Sequence, residues 1–258
     1  MKTALIGHTG FVGGNLLRQT AFDDLYASAN IADIRGREYD LVVCAAPSSV
    51  KWLANQRPDE DLAHMERLMD DLRHCRAETF VLTSTVDIYP EPVGVDEDTP
   101  IDPERAQPYG RHRFYLEEFC RGHFSRTCVV RFPHLYGPGI RKNFVYDLIH
   151  RNALHLTHRD SVLQFYDLAD LWRDLAPVID LGLPLVNFST EPIRAGDLAR
   201  ECFGMEFDTV TEAPPLRYDM LSRHGETLGW GGERLQTRSD TFRRVRALAE
   251  TEAGESAG

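Results

Sequence analysis

The chain has 258 residues, 42% of them hydrophobic and 27% charged, which suits one α/β domain with a sizeable core, or one domain with a small appendage. A formal charge of −11 excludes a nucleic-acid partner, which needs a basic stripe along the phosphates, and leaves only local basic clusters for small anions. No apolar run reaches the length of a signal-peptide core or a membrane span, and Cys44, Cys75, Cys120, Cys128 and Cys202 form no C-x-x-C pair, so a reduced, cytoplasmic setting without membrane association is expected.

In chain order, the first half alternates short β-branched runs with helical patterns, the rhythm of βαβ units and a parallel sheet. Strands are predicted over 2–6, 25–29, 41–45 and 80–83, with a helix over 11–21 after the first. A second helix is predicted over 58–75, where Leu62, Met65, Leu68, Met69 and Leu72 recur at helical spacing as a core-facing stripe. Residues 90–108, rich in Pro, Asp and Glu, read as a surface loop, followed by a helix over 108–122 and a strand over 127–132. Beyond Gly137 the pattern loosens, with helices predicted over 143–151, 170–181, 196–202 and 239–248 and a strand over 185–188. The closing ETEAGESAG has no apolar anchor and reads as disordered.

GHTGFVG directly follows the first strand and opens the first helix, with glycines at Gly7, Gly10 and Gly13. Glycines there allow a tight turn and a close backbone approach, and the helix start offers free N–H groups and a positive dipole end to a pyrophosphate. A glycine triplet alone is equally a plain strand-to-helix turn; its place in a βαβ unit at the chain start selects dinucleotide binding. Gly7, Thr9, Gly10, Phe11, Val12 and Gly13 are the expected cofactor cradle, with Ala45 and Ala46 ending the third strand beside them. The acid that would grip the ribose 2′-OH of NAD is missing after the second strand, where Ser28, Ala29 and Asn30 stand. No carboxylate there repels a 2′-phosphate, and Arg35 or Arg37 is near enough in sequence to reach one, so the expectation leans to NADP over NAD. Asp33-Ile34 reads either as an adenine-contact pair or as a polar turn.

Three later segments carry chemistry. TSTVDIYP (83–90) ends a strand, PYGRHR (108–113) starts a helix, and RFPHLYGPG (131–139) ends the next strand and turns. With the glycine loop, and in this order, they resemble the extended short-chain dehydrogenase/reductase superfamily, specifically its NAD-dependent epimerase/dehydratase branch, over roughly residues 1–190. The resemblance implies an α/β fold, a Rossmann-type doubly wound parallel sheet with a small C-terminal substrate-capping region. It gives Thr85 the place of the hydroxyl that hydrogen-bonds the reacting oxygen, Tyr109 that of the acid/base tyrosine, and Pro133 a place against the cofactor. A phenol titrates at about 10, so it needs a neighbouring cation to act as a base near neutrality. Four residues on, along the same helix face, the family carries lysine. Here Arg113 keeps the charge and can donate to the nicotinamide ribose, but it does not readily pass protons. With three lysines against 26 arginines in the chain, the exchange is less surprising.

In the family's dehydratases an Asp-Glu pair follows the threonine. This chain has Val86-Asp87, which argues against dehydration and leaves Asp87 as an extra acid or base on the substrate or as a solvated loop residue. His134 stands where nucleotide-sugar members carry a substrate-binding asparagine, and Leu163 precedes Gln164-Phe165 where they carry a phosphate-gripping arginine; both departures count against a nucleotide-linked substrate. Arg141, Lys142 and Arg151 read equally as an anion contact and as a solvated helix face. Lys51, after AAPSS, is a candidate to approach cofactor or substrate. His150, His155 and His158 lack a supporting ligand set, and no metal is expected.

The expected organisation is a dinucleotide-binding part over 1–136, with later strands returning to its sheet, a small substrate-binding region over 137–248, and a disordered tail over 249–258. The expected function is an NAD(P)-dependent reductase or redox-neutral epimerase acting on a sugar-like hydroxyl or keto group, the short chain favouring the reductase. The alternative, from another class, is a dinucleotide-binding sensor or scaffold that has lost turnover, with Arg113 the feature in its favour. A homodimer is common in the resembling family.

Overall fold

Runs such as LVVC and FVLT leave no polar face, so the strands they form must be covered on both sides, as in a parallel sheet between helical layers. The computed structural model, which describes residues 1–255, builds that sheet. Its first half runs β1 (Thr3–Ile6), α1 (Phe11–Leu17), β2 (Asp24–Tyr26), β3 (Glu38–Cys44), α2 (Lys51–Gln56), α3 (Pro58–Leu72), β4 (Arg76–Thr85), β5 (Val93–Val95), α4 (Pro108–His123) and β6 (Thr127–Phe132). Then follow β7 (His134–Tyr136), α5 (Phe144–His150), β8 (Val162–Leu163), β9 (Phe165–Asp167), α6 (Leu171–Leu181), β10 (Leu185–Asn187), β11 (Ile193–Arg194), α7 (Ala195–Phe203), β12 (Asp219–Met220) and α8 (Arg238–Glu255).

The chain divides into two compact units, and the cuts do not follow a single boundary at 136. The first unit holds Met1–Pro90, Glu97–Phe132 and Asp170–Asn187; the second holds Glu91–Asp96, Pro133–Ala169 and the chain from Phe188 on. In the first, six parallel strands take the order β10-β6-β4-β3-β1-β2. The chain steps from β1 outward to β2 and returns to β3 on the other side of β1, so the strand order reverses around β1. That reversal opens a crevice at the carboxyl ends of β1 and β3, the usual ligand position in such sheets. One sheet face, with Ala4, Ile6, Val42, Cys44, Phe80, Leu82 and Val129, packs on Met65, Leu68 and Leu72 of α3 and Leu116 and Cys120 of α4. Strand residues alternate, so Leu5, Val43, Val81 and Val130 turn to the opposite face and are also buried.

The second unit is built from three two-stranded ribbons, β11-β8, β12-β5 and β7-β9, and from α5, α7 and α8 packed on one another. Gln164, wholly buried, ties it together: its amide nitrogen donates to the Thr190 and Met220 carbonyls at 2.5 and 2.8 Å, and its oxygen accepts from the Met220 N–H at 2.7 Å.

Several elements differ from their predicted bounds for local reasons. Strand β4 starts at Arg76 because the charged residues at its start pair across the ladder, Arg76 bonding Glu38 of β3 at 2.9 Å. The second strand ends at Tyr26, since Asn30 turns the chain by accepting from the Ala27 N–H at 2.7 Å. The loop predicted over 90–108 contains β5, which pairs with β12. Helix α8 continues past residue 248 to Glu255, with the Thr251 hydroxyl bonded to the Ala247 carbonyl at 3.0 Å. The tail expected over 249–258 is therefore helical as far as 255, and 256–258 lie outside the described residues.

Candidate active site

The glycine loop is closed as tightly as backbone allows. Gly7 has φ +86°, and a Cβ there would lie 2.5 Å from the Ala45 carbonyl oxygen and 2.7 Å from the Ala46 nitrogen. A Cβ on Gly13 would lie 2.2 Å from the Gly7 carbonyl oxygen. The loop, the start of α1 and the Ala45–Ala46 backbone thus form one continuous main-chain surface at the reversal of strand order. Gly10, at the N-cap, brings no side chain between the first N–H groups of α1 and a ligand. This cradle fits a dinucleotide pyrophosphate. Gly13→Ala is expected to destabilise the protein by about 1–3 kcal/mol through overpacking and to abolish dinucleotide binding; a melting curve and a calorimetric titration with NAD and NADP check both effects.

Thr9 and Gly10 are exposed and Phe11 and Val12 half-buried, so the loop surface is open to a ligand. Ile34 is fully buried against the sheet, which leaves its backbone and the exposed Asp33 as the parts able to meet an adenine. The expectation that Arg35 reaches a 2′-phosphate does not hold. Its guanidinium is bound to Asp70 at 2.5 Å and Asp71 at 2.7 Å on α3, hydrogen bonds that raise its pKa further. The side chain of Asn30 is occupied by the turn it makes with Leu25 and Ala27.

At the carboxyl end of β4, Thr85 receives the Asp87 N–H at 3.2 Å and donates to Oδ2 of Asp87 at 3.4 Å. Tyr109, at the start of α4, is buried, with Arg113, Asp87, Lys51 and Thr85 as the groups that act on its phenol. The start of α4 is fixed by Asn55 of α2, whose side-chain oxygen accepts the Tyr109 N–H at 2.9 Å. Gly110 allows this approach, since a Cβ there would lie 1.9 Å from the Asp87 carbonyl oxygen. Burial pushes the Tyr109 phenol up; Arg113 opposes this, Asp87 adds to it, and Lys51 and the Thr85 hydrogen bond pull it back, leaving it above its ordinary value. The group therefore holds its proton through neutral pH.

Arg113 keeps its charge beside Tyr109, with two of its nitrogens engaged by the protein. It is 3% exposed, stacks over the Tyr109 ring at 4.0 Å, and bonds through Nη1 to Asp61 of α3 and through Nη2 to the Ser48 carbonyl at 2.6 Å. Asp61 also accepts from His112 Nδ1 at 2.8 Å. Lys51 of α2 reaches the cluster from another side, with Nζ 2.7 Å from Oδ1 of Asp87. Asn55, Asp61 and the Ser48 carbonyl had no signal in the sequence: Asp61 reads there as one more acid in the first turn of a surface helix, and α2 was missed as a helix altogether.

Behind these residues lies a buried ion pair. Arg131 of β6 meets Glu117 of α4 twice, at 2.6 and 3.1 Å, with the two side chains 1% and 0% exposed. Ser84 donates to Glu117, and Arg131 donates to the Tyr89 hydroxyl at 2.7 Å. Burial works against the Arg131 charge and Glu117 more than restores it.

Pro133, His134, Arg141 and Lys142 belong to the second unit. His134 packs edge-on against Tyr218, centroids 4.9 Å apart, with Nδ1 3.2 Å from the Gln164 carbonyl oxygen. Arg141 and Lys142 are exposed. Among the described residues no three His, Cys, Asp or Glu side chains are placed to hold a metal ion, and no helix is long and apolar enough to cross a membrane.

A parallel sheet whose first strand ends in a closed glycine turn defines a Rossmann-type nucleotide-binding fold. The family model for the NAD-dependent epimerase/dehydratase family matches residues 24–182, more than half of the chain, and the chain belongs to that family, whose members are NAD(P)-dependent enzymes of the extended short-chain dehydrogenase type. Among solved structures it is similar to MoeE5 in complex with UDP-glucose and NAD, with a TM-score of 0.76, 17% identity and 99% of each chain covered. It is also similar to the UDP-glucose 4-epimerase of Thermotoga maritima with UDP-glucose, at 0.73, 14% and 99% of each chain. The dTDP-4-dehydrorhamnose reductase of Bacillus anthracis in complex with NADP aligns at 0.72 and 16%, over 96% of this chain and 98% of that one. At these identities the likeness is one of fold. No curated protein matches the chain in sequence.

Proposed function

We propose that the chain is an NAD(P)-dependent reductase of a keto group on a sugar, nucleotide-linked as in the ligands of its structural relatives. The observation that carries this reading is the buried Tyr109, stacked under Arg113 at 4.0 Å at the start of a helix that packs on the Asp87 turn after Thr85, on the same unit as the glycine cradle. A nicotinamide dinucleotide held at Gly7, Gly10 and Gly13 would supply hydride to the carbonyl carbon. The Thr85 hydroxyl hydrogen-bonds the carbonyl oxygen, and Tyr109 gives that oxygen its proton, so the product leaves as an alcohol and the phenol is left as phenolate. Tyr109 rests with its proton on near neutrality, the state from which a carbonyl reductase starts, and the cations around it ease the release of that proton. Arg113, fixed over the ring, stabilises the phenolate without leaving its place. Asp87, bonded to Thr85, is the candidate substrate contact on this unit.

Arg35 is held by α3, Arg37 is the other basic side chain of that segment, and the cradle suits either dinucleotide. The test is to denature freshly purified protein and identify released dinucleotide by mass spectrometry, then titrate the emptied protein with NADH and NADPH. An empty site that takes up either reduced dinucleotide is the expected result for a reductase with exchangeable cofactor. Tightly held NAD at one per chain would point instead to an epimerase that recycles its hydride, and no binding at all would overturn the reading. The locked state of Arg113 favours the second reading, a sensor that binds the dinucleotide without turnover; binding with no product from any keto sugar nucleotide would select it.

A further inference from the structure

The usual position of the cation that serves the tyrosine is one helical turn after it, and here that residue is enclosed. Arg113 is held by Asp61 and the Ser48 carbonyl, and its buried Nε finds no partner among the described residues. A guanidinium in this setting is a fixed charge that ties α4 to α3; it neither moves nor exchanges protons.

A second cation stands on the other side of the phenol. Lys51 opens α2, with its side chain 42% exposed and Nζ on Oδ1 of Asp87 at 2.7 Å. The other oxygen of Asp87 is 3.4 Å from the Thr85 hydroxyl, and a Cβ on Gly110, next to Tyr109, would lie 1.9 Å from the Asp87 carbonyl oxygen. The same short helix carries Asn55, which fixes the Tyr109 main chain. A solvent-facing ammonium, the Asp87 turn and the start of α4 thus meet at the buried phenol, on the side away from the Arg113 tie to α3.

Resting on the reading of Tyr109 as the proton donor, we propose that Lys51 is a second positioning residue of this site: through Asp87 it supplies a positive charge beside Tyr109 in addition to that of Arg113, which also ties α4 to α3. The charged groups facing the phenol are Arg113 from α4, Asp87 from the turn after β4 and Lys51 from α2, with Asp61 of α3 behind Arg113. Lys51 offsets the Asp87 carboxylate, whose charge would otherwise hold the phenolate off. Removing Lys51 leaves the Asp87 charge without its counter-ion beside Tyr109, with Arg113 as the remaining cation there, and the phenol rises further.

The test uses ligand-free full-length protein with 3,5-difluorotyrosine, a more acidic phenol, at all nine tyrosine positions, titrated by fluorine NMR. The Tyr109 signal is the one lost in Tyr109→Phe. Lys51→Met is expected to raise its midpoint by roughly one pH unit, as loss of a nearby opposite charge does. Lys51→Arg should leave the midpoint within a few tenths of wild type, because charge and reach are kept. Lys51→Gln, which keeps a hydrogen bond to Asp87 without the charge, should behave as Lys51→Met and replaces it if that variant does not fold. A neutral variant that titrates with wild type, or a Lys51→Arg midpoint displaced as far as the neutral one, overturns the proposal. The titration needs no dinucleotide, so failure of cofactor binding would sink the proposed function and leave this result standing by itself.

Discussion

Tyr109→Phe is expected to lower kcat by about 10²- to 10⁴-fold, the range for loss of a positioned general acid, with dinucleotide affinity unchanged. The substitution removes one oxygen and keeps the ring, so the Arg113 stack at 4.0 Å and the Asn55 contact to the Tyr109 N–H both survive. Binding and chemistry should therefore separate: calorimetry with NADH and NADPH reads the first, and single-turnover oxidation of the reduced dinucleotide by a keto sugar nucleotide reads the second. Because the phenol lies above its ordinary value, the wild-type reductive rate should stay level through neutral pH and fall only at alkaline pH, above about 10, as the proton donor is lost. A Phe variant that keeps its rate would remove Tyr109 from the mechanism. An acid-side fall in the wild-type rate would assign the proton to a different group.

Glu117→Ala is expected to have the largest effect on stability, about 3–5 kcal/mol, because it leaves Arg131 charged and buried without its partner. Both side chains are essentially inaccessible and their contact is bidentate, so little water can enter to replace the carboxylate. For a chain of this size that loss corresponds to a fall in Tm of about 10 °C or more. The double variant Glu117→Leu with Arg131→Met should recover much of the loss, since removing both charges removes the uncompensated one. Equal melting temperatures for Glu117→Ala and wild type would mean that water reaches Arg131 and takes the place of the carboxylate. The pair also bears on the site. Ser84, bonded to Glu117, precedes Thr85 in β4, and Tyr89, bonded to Arg131, ends the same turn, so activity should fall together with stability in the single variant.

The sequence determined the parts of this protein that depend on neighbours along the chain. The parallel sheet follows from strands apolar on both faces. The glycine loop follows from Gly7, Gly10 and Gly13, whose missing Cβ atoms are needed for contacts closed within the loop and against Ala45 and Ala46. Thr85 and Tyr109 could be chosen because each lies at a fixed step from a strand end or a helix start, and the structure sets Thr85 and the start of α4 against the same residue, Asp87. Family membership was legible for the same reason, as four local motifs in a fixed order.

Only the tertiary structure decided what the charged side chains do, since their partners lie far along the chain. Arg35 looked available for a phosphate until α3 placed Asp70 and Asp71 against it, 35 and 36 residues away. Arg113 keeps its charge over the Tyr109 ring while Asp61 and Ser48 engage two of its nitrogens, and Lys51 gained a role through Asp87, 36 residues on. Gln164, one residue from the place of a phosphate-gripping arginine, proved a buried tie between backbone carbonyls. A charge has no periodicity to announce its partner. Long flexible side chains reach several ångströms in any direction, and burial, which decides whether a pair is held or dissolved in water, is a property of the folded whole.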